Sequence, residues 1–127
     1  MKELFTGIYS KYNGNEALKA AITGFYFTEA PQDAAMPYVV YNLVSNVPDW
    51  TYTEDMENSL IQFSIFDDHS SSTTINDIYE KLTALFDWCV LTVEGYSHIY
   101  MKREFNILTR ENDTWHYAIQ YRNEIQK

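Results

Sequence analysis

Between Ile61 and Ile65 the chain alternates strictly: Ile61, Phe63 and Ile65 point one way, Gln62 and Ser64 the other. This period of two predicts a strand over Ser59 to Asp67 with one buried face. The Ser/Thr cluster from Ser70 to Thr74 then leads into Ile75, Ile78, Tyr79, Leu82 and Phe86, whose spacing predicts a helix over Thr73 to Asp87 with one apolar side. Upstream, Pro37 opens a run in which Val39, Tyr41 and Leu43 face one way and Val40, Asn42 and Val44 the other. Apolar groups on both faces predict a central strand from Tyr38 to Val47. Pro48 and Asp49 are expected to end it, leaving a loop through Asn58.

The N-terminal pattern is helical. Leu4, Phe5, Ile8, Tyr9 and Tyr12 draw an apolar stripe over Lys2 to Tyr12, and Asn13-Gly14-Asn15 ends it. Leu18, Ala21 and Ile22 predict a second short helix over Glu16 to Thr23, with Gly24 as its C-terminal cap. Phe25 to Thr28 reads as a short strand, and the proline-bearing stretch Glu29 to Pro37 as a connector. Cys89 to Glu94 reads as another short strand before Gly95. Two long alternating runs, His98 to Thr109 and Thr114 to Ile125, are joined by Arg110-Glu111-Asn112-Asp113 as a hairpin. Each arm is roughly 40 Å long at ~3.4 Å per residue, against a domain roughly 30 Å across. One end should project and need a neighbour to cover its apolar face. Trp115, Tyr117, Ile119 and Tyr121 are therefore the expected subunit interface.

A chain of 127 residues has the size of one domain. With 46% hydrophobic residues and eleven tyrosines it is not disordered, and the tyrosines favour broad sheet surfaces or subunit contacts. Eighteen acids against nine bases, a formal charge of −9, count against general attraction to nucleic acid or anionic membrane. No apolar run is long enough to span a bilayer and the N-terminus lacks a signal-peptide core, so the chain is expected to be made in a reducing cytoplasm, with Cys89 a buried, inert thiol.

Candidate chemistry is sparse. Asp67-Asp68-His69 could be imagined as a metal site or an acid/base pair, but lies where turn and pre-cap residues belong and lacks a second ligand group at metal-site spacing. His98 and His116, on opposite arms of the terminal hairpin, could meet across the strands in a structural role. There is no nucleophile motif and no phosphate-cradling glycine loop, so catalytic, cofactor and metal residues are all expected to be none. The loop Asp49 to Asn58 places Asp49, Glu54, Asp55 and Glu57 beside Trp50, Tyr52 and Met56. It is either a solvated crossover or a docking loop whose aromatics anchor and whose acids select a partner or line a surface.

With these elements in order, the segment Ala30-Pro31 to Met36-Pro37-Tyr38-Val39-Val40-Tyr41 and the strand-Asp-Ser/Thr-helix junction from Phe66 to Ile75 resemble the tail-completion and tail-terminator proteins of long-tailed bacteriophages. The resemblance covers nearly the whole chain. It implies an α+β domain in which an antiparallel sheet of four to six strands has its helices packed on one face. It also implies a non-enzymatic virion protein that forms a hexameric ring at the head-proximal end of the tail tube, ending tube growth and joining tail to head. Its partners would be itself, the tail-tube protein and the head-tail connector, with DNA passing through unbound and no membrane involved. The acids of the 49–57 loop are then candidates to face the channel. The alternatives are a head-side neck protein of the same joint, or a small-molecule-binding α+β domain that uses the aromatic sheet face as a pocket wall.

Overall fold

The computed structural model describes residues 2–50 and 55–126, excepting the side chains of 47–50, 55, 56 and 99. The elements are α1 (Lys2–Asn13), α2 (Glu16–Ala21), β1 (Phe25–Phe27), β2 (Tyr38–Trp50), β3 (Asp55–Asp67), α3 (Thr73–Phe86), β4 (Ser97–Glu111) and β5 (Thr114–Gln126). They build one five-stranded sheet in the order β1-β2-β3-β5-β4. All neighbours are antiparallel except β1 and β2, which run parallel, so the sheet is mixed at one margin.

One face of this sheet carries the core. Val39, Tyr41, Ile61, Phe63, Ile65, Ile119 and Tyr121 form a single buried cluster with Leu4 and Ile8 of α1, Leu18 of α2, and Ile75, Ile78, Leu82 and Phe86 of α3. All three helices therefore pack on the same face, as expected. Phe63, fully buried, is the centre: its ring stacks on Phe86 at 4.7 Å, meets Tyr121 edge-on at 5.6 Å, and lies 6.1 Å from both Phe25 and Tyr41. Phe25 extends the cluster to α1 by stacking on Tyr12 at 4.2 Å.

Several boundaries differ from the sequence expectation, each for a local reason. Pro48 does not end β2, which runs on to Trp50 with Pro48 opposite Glu57 and Trp50 opposite Asp55. β1 pairs only with Val39 to Tyr41, so Pro48 lies on an open edge where a missing N–H breaks no ladder bond. The expected loop is mostly hairpin. α2 ends at Ile22, whose extended backbone (φ −129°, ψ 157°) turns a 7% exposed side chain into the core; Gly24 instead gives its carbonyl to Val39 N at 3.0 Å. Cys89 to Glu94 is not a strand; it is extended chain closed by an isolated Val93–Tyr96 bridge around Gly95, whose φ is +80°. The C-terminal turn is shorter than expected: Glu111 pairs with Thr114, and Asn112 and Asp113 alone make the turn at φ 51° and 59°. Asn and Asp tolerate this left-handed geometry, which suits a two-residue hairpin.

The long hairpin does not project alone. β5 pairs with β3 from Trp115–Asp67 to Gln126–Met56, so the two hairpins are matched in length and lie side by side. Their far end is covered by the chain itself: Ser59 and Asn123 are fully buried, and the extended segment after α3 is tied there by Leu91 N donating to His98 Nδ1 at 3.3 Å. The segment lies so close to α1 that a Cβ at Gly7 would stand 2.6 Å from the Thr92 carbonyl oxygen.

Two stability outcomes follow from this packing. Phe63→Ala removes the ring on which four others converge and should cost about 3–5 kcal/mol by denaturant titration. Gly7→Ala should cost about 1–3 kcal/mol, because backbone rather than a yielding side chain opposes the new methyl. A Gly7→Ala midpoint equal to wild type would show that the α1 approach is loose.

Candidate functional site

Of the acidic-aromatic loop residues, Tyr52 and Glu54 lie outside the described residues, and Asp49, Trp50 and Asp55 are placed as backbone at the end of the β2–β3 hairpin. Glu57 is half-buried and pairs in register with Pro48 and Ile125. The described members thus lie at the end of a paired ribbon. Between Lys19 and Lys81 the chain has ten Asp or Glu and no Lys or Arg, so β1, β2 and β3 carry no base at all. Bases return on the other side of the sheet with Lys102, Arg103 and Arg110 on β4 and Arg122 on β5.

The four residues expected at a subunit interface fall on the helix-covered face. Ile119 and Tyr121 have no exposed surface and are core residues, which leaves them nothing to offer a neighbour; α3 supplies the cover that the long hairpin was expected to need. Trp115 and Tyr117 are partly buried against the same core, Tyr117 stacked on Tyr79 at 4.2 Å and Trp115 beneath the Arg110 guanidinium at 4.7 Å. Tyr121 donates from its hydroxyl to Asp87 Oδ1 at 2.5 Å, and Arg103 pairs with Asp87 Oδ2 at 3.2 Å and donates to the Tyr79 hydroxyl. Burial first, then the bond to Asp87, pushes the Tyr121 phenol far up. This polar clasp fastens the end of α3 to β4 and β5.

The opposite face bears no helix. Across it runs an aromatic row: Tyr26 edge-on to Tyr38 at 5.9 Å, Tyr38 beside Phe66 at 5.3 Å, and Phe66 stacked on His116 at 4.5 Å. Phe105 and Ile107 extend the apolar surface to β4 at 50% and 48% exposure. Periodicity gives these alternate positions as readily as the core, but not which set the helices cover. A separate groove of about 500 Å³ lies between α1 and the β1 margin, lined by Phe5, Tyr9, Phe27 and Tyr41 with Lys2 and Thr6 at its rim.

Asp67 and the three histidines lie outside the clasp and make local contacts. Asp67, fully buried, holds the exposed His69 Nδ1 at 2.6 Å, and the His69 carbonyl accepts from Trp115 Nε1 and an Arg110 nitrogen, both at 3.0 Å. Ligand atoms of Asp67, Asp68 and His69 lie within 4.8 Å of one another, but all three come from one turn and its bonds tie that turn to the terminal hairpin. His98 and His116 do not meet: His98 pairs with Ile125, and His116 with Thr109 at the other end of the hairpin. His98 Nε2 lies 3.1 Å from Asn123 Oδ1, and burial lowers the pKa of both histidines. Burial also pushes the Cys89 thiol up to about 11, which keeps it protonated and unreactive.

Residues 6–125 match the family described as Tail completion protein gp17. The chain belongs to that family. Membership makes it a structural protein of a bacteriophage-type tail and hence a virion protein. Among solved structures, a chain in the virion of a native gene transfer agent particle superposes with a TM-score of 0.83 at 14% identity, covering 96% of this chain and 93% of that one. Another solved chain gives a TM-score of 0.62 at 14% identity over 94% of both. No curated protein matches the sequence. At such identity the solved structures establish a shared fold and nothing further.

The His69–Asp67 pair has a pH signature. The bond to Asp67 raises the folded pKa of His69 above 6.5, so its contribution is complete below the unfolded value and is lost as pH rises through the folded one. His98 and His116, lowered by burial, act oppositely and destabilise as pH falls through their unfolded value. The melting-temperature deficit of His69→Asn should therefore be larger at about pH 5.5 than at about pH 9. An equal deficit at both would mean that the pair does not titrate in this range.

Proposed function

We propose that this tail-completion protein forms a ring, likewise hexameric, at the head-proximal end of the tail tube, where it ends tube growth and joins tail to head without catalysing a reaction. The reading is carried by the family match over residues 6–125 falling on a sheet whose hairpin tip is acidic and free of bases. Termination is then geometric. One face of the ring fits the last tube subunits and the other does not, so no further tube subunit can add. The β2–β3 tip supplies contact area beyond Glu57, which pairs with the buried Ile125. Its acids, Asp49, Glu54, Asp55 and Glu57, turn toward the channel and repel DNA weakly over the ~8 Å Debye length, keeping the duplex centred without gripping it. Of the residues first expected between subunits, Trp115 and Tyr117 keep surface for a contact with tube or connector.

A head-side position in the same joint would use the same ring with its faces exchanged. The groove of about 500 Å³ beside Tyr9 and Phe27 favours the rival from another class, a small-molecule binder. Mass against concentration separates them: a ring former associates, alone or on purified tube, whereas a pocket protein stays monomeric and gains melting temperature with its ligand.

Deleting residues 50–56 should leave a folded protein that no longer binds tube ends in negative-stain images; unaltered capping would make the tip a passive turn. Reversing Asp49, Glu54, Asp55 and Glu57 to Lys should leave rings intact but retain DNA during ejection, most strongly at low salt. Normal ejection at every salt concentration would remove these acids from the channel.

A further inference from the structure

Resting on that ring, we propose that copies of this chain join head to tail through the two margins of the sheet, β4 of one copy pairing antiparallel with β1 of the next. The sheet ends at these two strands, and an unprotected margin is a template for another chain. Most of the available edge is blunted. The first half of β4 is interrupted by register shifts between His98 and Tyr100 and between Arg103 and Phe105, and Trp88 N bonds its Met101 carbonyl at 2.9 Å. β2 beyond β1 is blunted by a register shift between Leu43 and Ser45 and by Pro48.

Phe105 to Glu111 is the exception. It has no register shift, and among the described residues its backbone bonds to no segment other than β5. A two-residue turn closes on a bonded pair, here Glu111 and Thr114, and bonded pairs then alternate. The N–H and C=O groups of Asn106, Leu108 and Arg110 consequently face away from β5. Phe105 and Ile107 flank them as exposed apolar side chains.

The register puts β1 at the same height. Phe25, Tyr26 and Phe27 pair with Val39, Val40 and Tyr41, and following the ladders across β3 and β5 arrives at Leu108, Ile107 and Asn106. β1 runs with β2, and three antiparallel steps separate β2 from β4, so a straight continuation is an antiparallel pair. Ile107 then lies beside the neighbour's Tyr26 on the helix-free face, and Phe27 and Tyr9, each nearly half exposed, are brought to the joint. Charge identifies the occupant as a second copy in this orientation. β1 itself carries no base and is followed by exposed Glu29, while β4 carries exposed Lys102 toward the same end of the sheet, where the neighbouring Glu104 is already paired with Arg122 at 3.1 Å. Pairing β4 with β4 would instead set the base-bearing margins together and close a two-fold dimer.

The test uses the full chain, sedimented over a range of concentrations and imaged by negative stain. Asn106→Pro removes an outward N–H while leaving the β5 ladder, and Lys102→Glu alters an exposed side chain. Each should raise the concentration for half-assembly at least ~tenfold with unchanged circular dichroism, and adding Glu29→Lys to Lys102→Glu should restore it to within ~threefold. Rings from both single variants at wild-type concentrations would overturn the edge pairing and leave the ring standing. Two-fold dimers in place of rings would overturn the head-to-tail orientation. A wild-type chain monomeric alone and on purified tube would overturn the ring reading and the pairing with it.

Discussion

The one-sided burial of the sheet around Phe63 is the constraint on which the remaining structure depends. Its ring is reached from β1 through Phe25, from β2 through Tyr41, from β5 through Tyr121 and from α3 through Phe86. A single aromatic cluster thus sets the distance between the helices and three strands. The Asp87 clasp to Tyr121 and Arg103 adds direction to a contact that apolar packing alone would leave able to slide. Strand register, helix position and the place of both margins are fixed together.

Putting every helix on one face has a consequence for assembly. A doubly covered sheet would present helices to all neighbours, whereas this one presents a bare aromatic face and two unlike margins. A tail protein that assembles with others needs surfaces that fit one neighbour and refuse another. The blunted stretches of β2 and β4 restrict where a strand can add. A strand bent by a bulge or lacking an N–H refuses a partner without any loss to the core.

Much of this order is legible in the sequence. The alternation in Ile61 to Ile65 and the spacing of Ile75 to Phe86 report burial directly, so α3 and the Ser59–Asp67 part of β3 stand where the pattern puts them, while β3 itself begins earlier, at Asp55. The reading weakens where local chemistry and tertiary context disagree. Pro48 is a strand breaker only if its missing N–H is needed, and the shortness of β1, set by tertiary pairing, decides that it is not. Likewise the pattern Trp115, Tyr117, Ile119, Tyr121 announces one apolar face but cannot say whether α3 or another subunit covers it. Gly7 gave no signal because its role is a close approach to Thr92, eighty-five residues away in the chain. The helix-free row of Tyr26, Tyr38, Phe66 and His116 was hidden for a similar reason: its members come from four strands and meet only once the register is set.

The distribution of charge bears on why association in the proposed ring would stop at closure. A net −9 on each copy opposes indiscriminate contact at long range, yet no base lies between Lys19 and Lys81 while four lie on β4 and β5. In the proposed contact, at a separation within the Debye length, the local pairing of unlike margins would outweigh the distant repulsion, and like margins would gain nothing. Such a contact is heterologous, so each added copy repeats the same rotation, and the right-handed twist of a continued sheet makes that rotation fixed rather than free. Closure then depends on whether the rotation divides a full turn. A stiff core held by Phe63 is what lets a small chain define that angle, because a sheet able to flex at its centre would permit open chains as readily as rings.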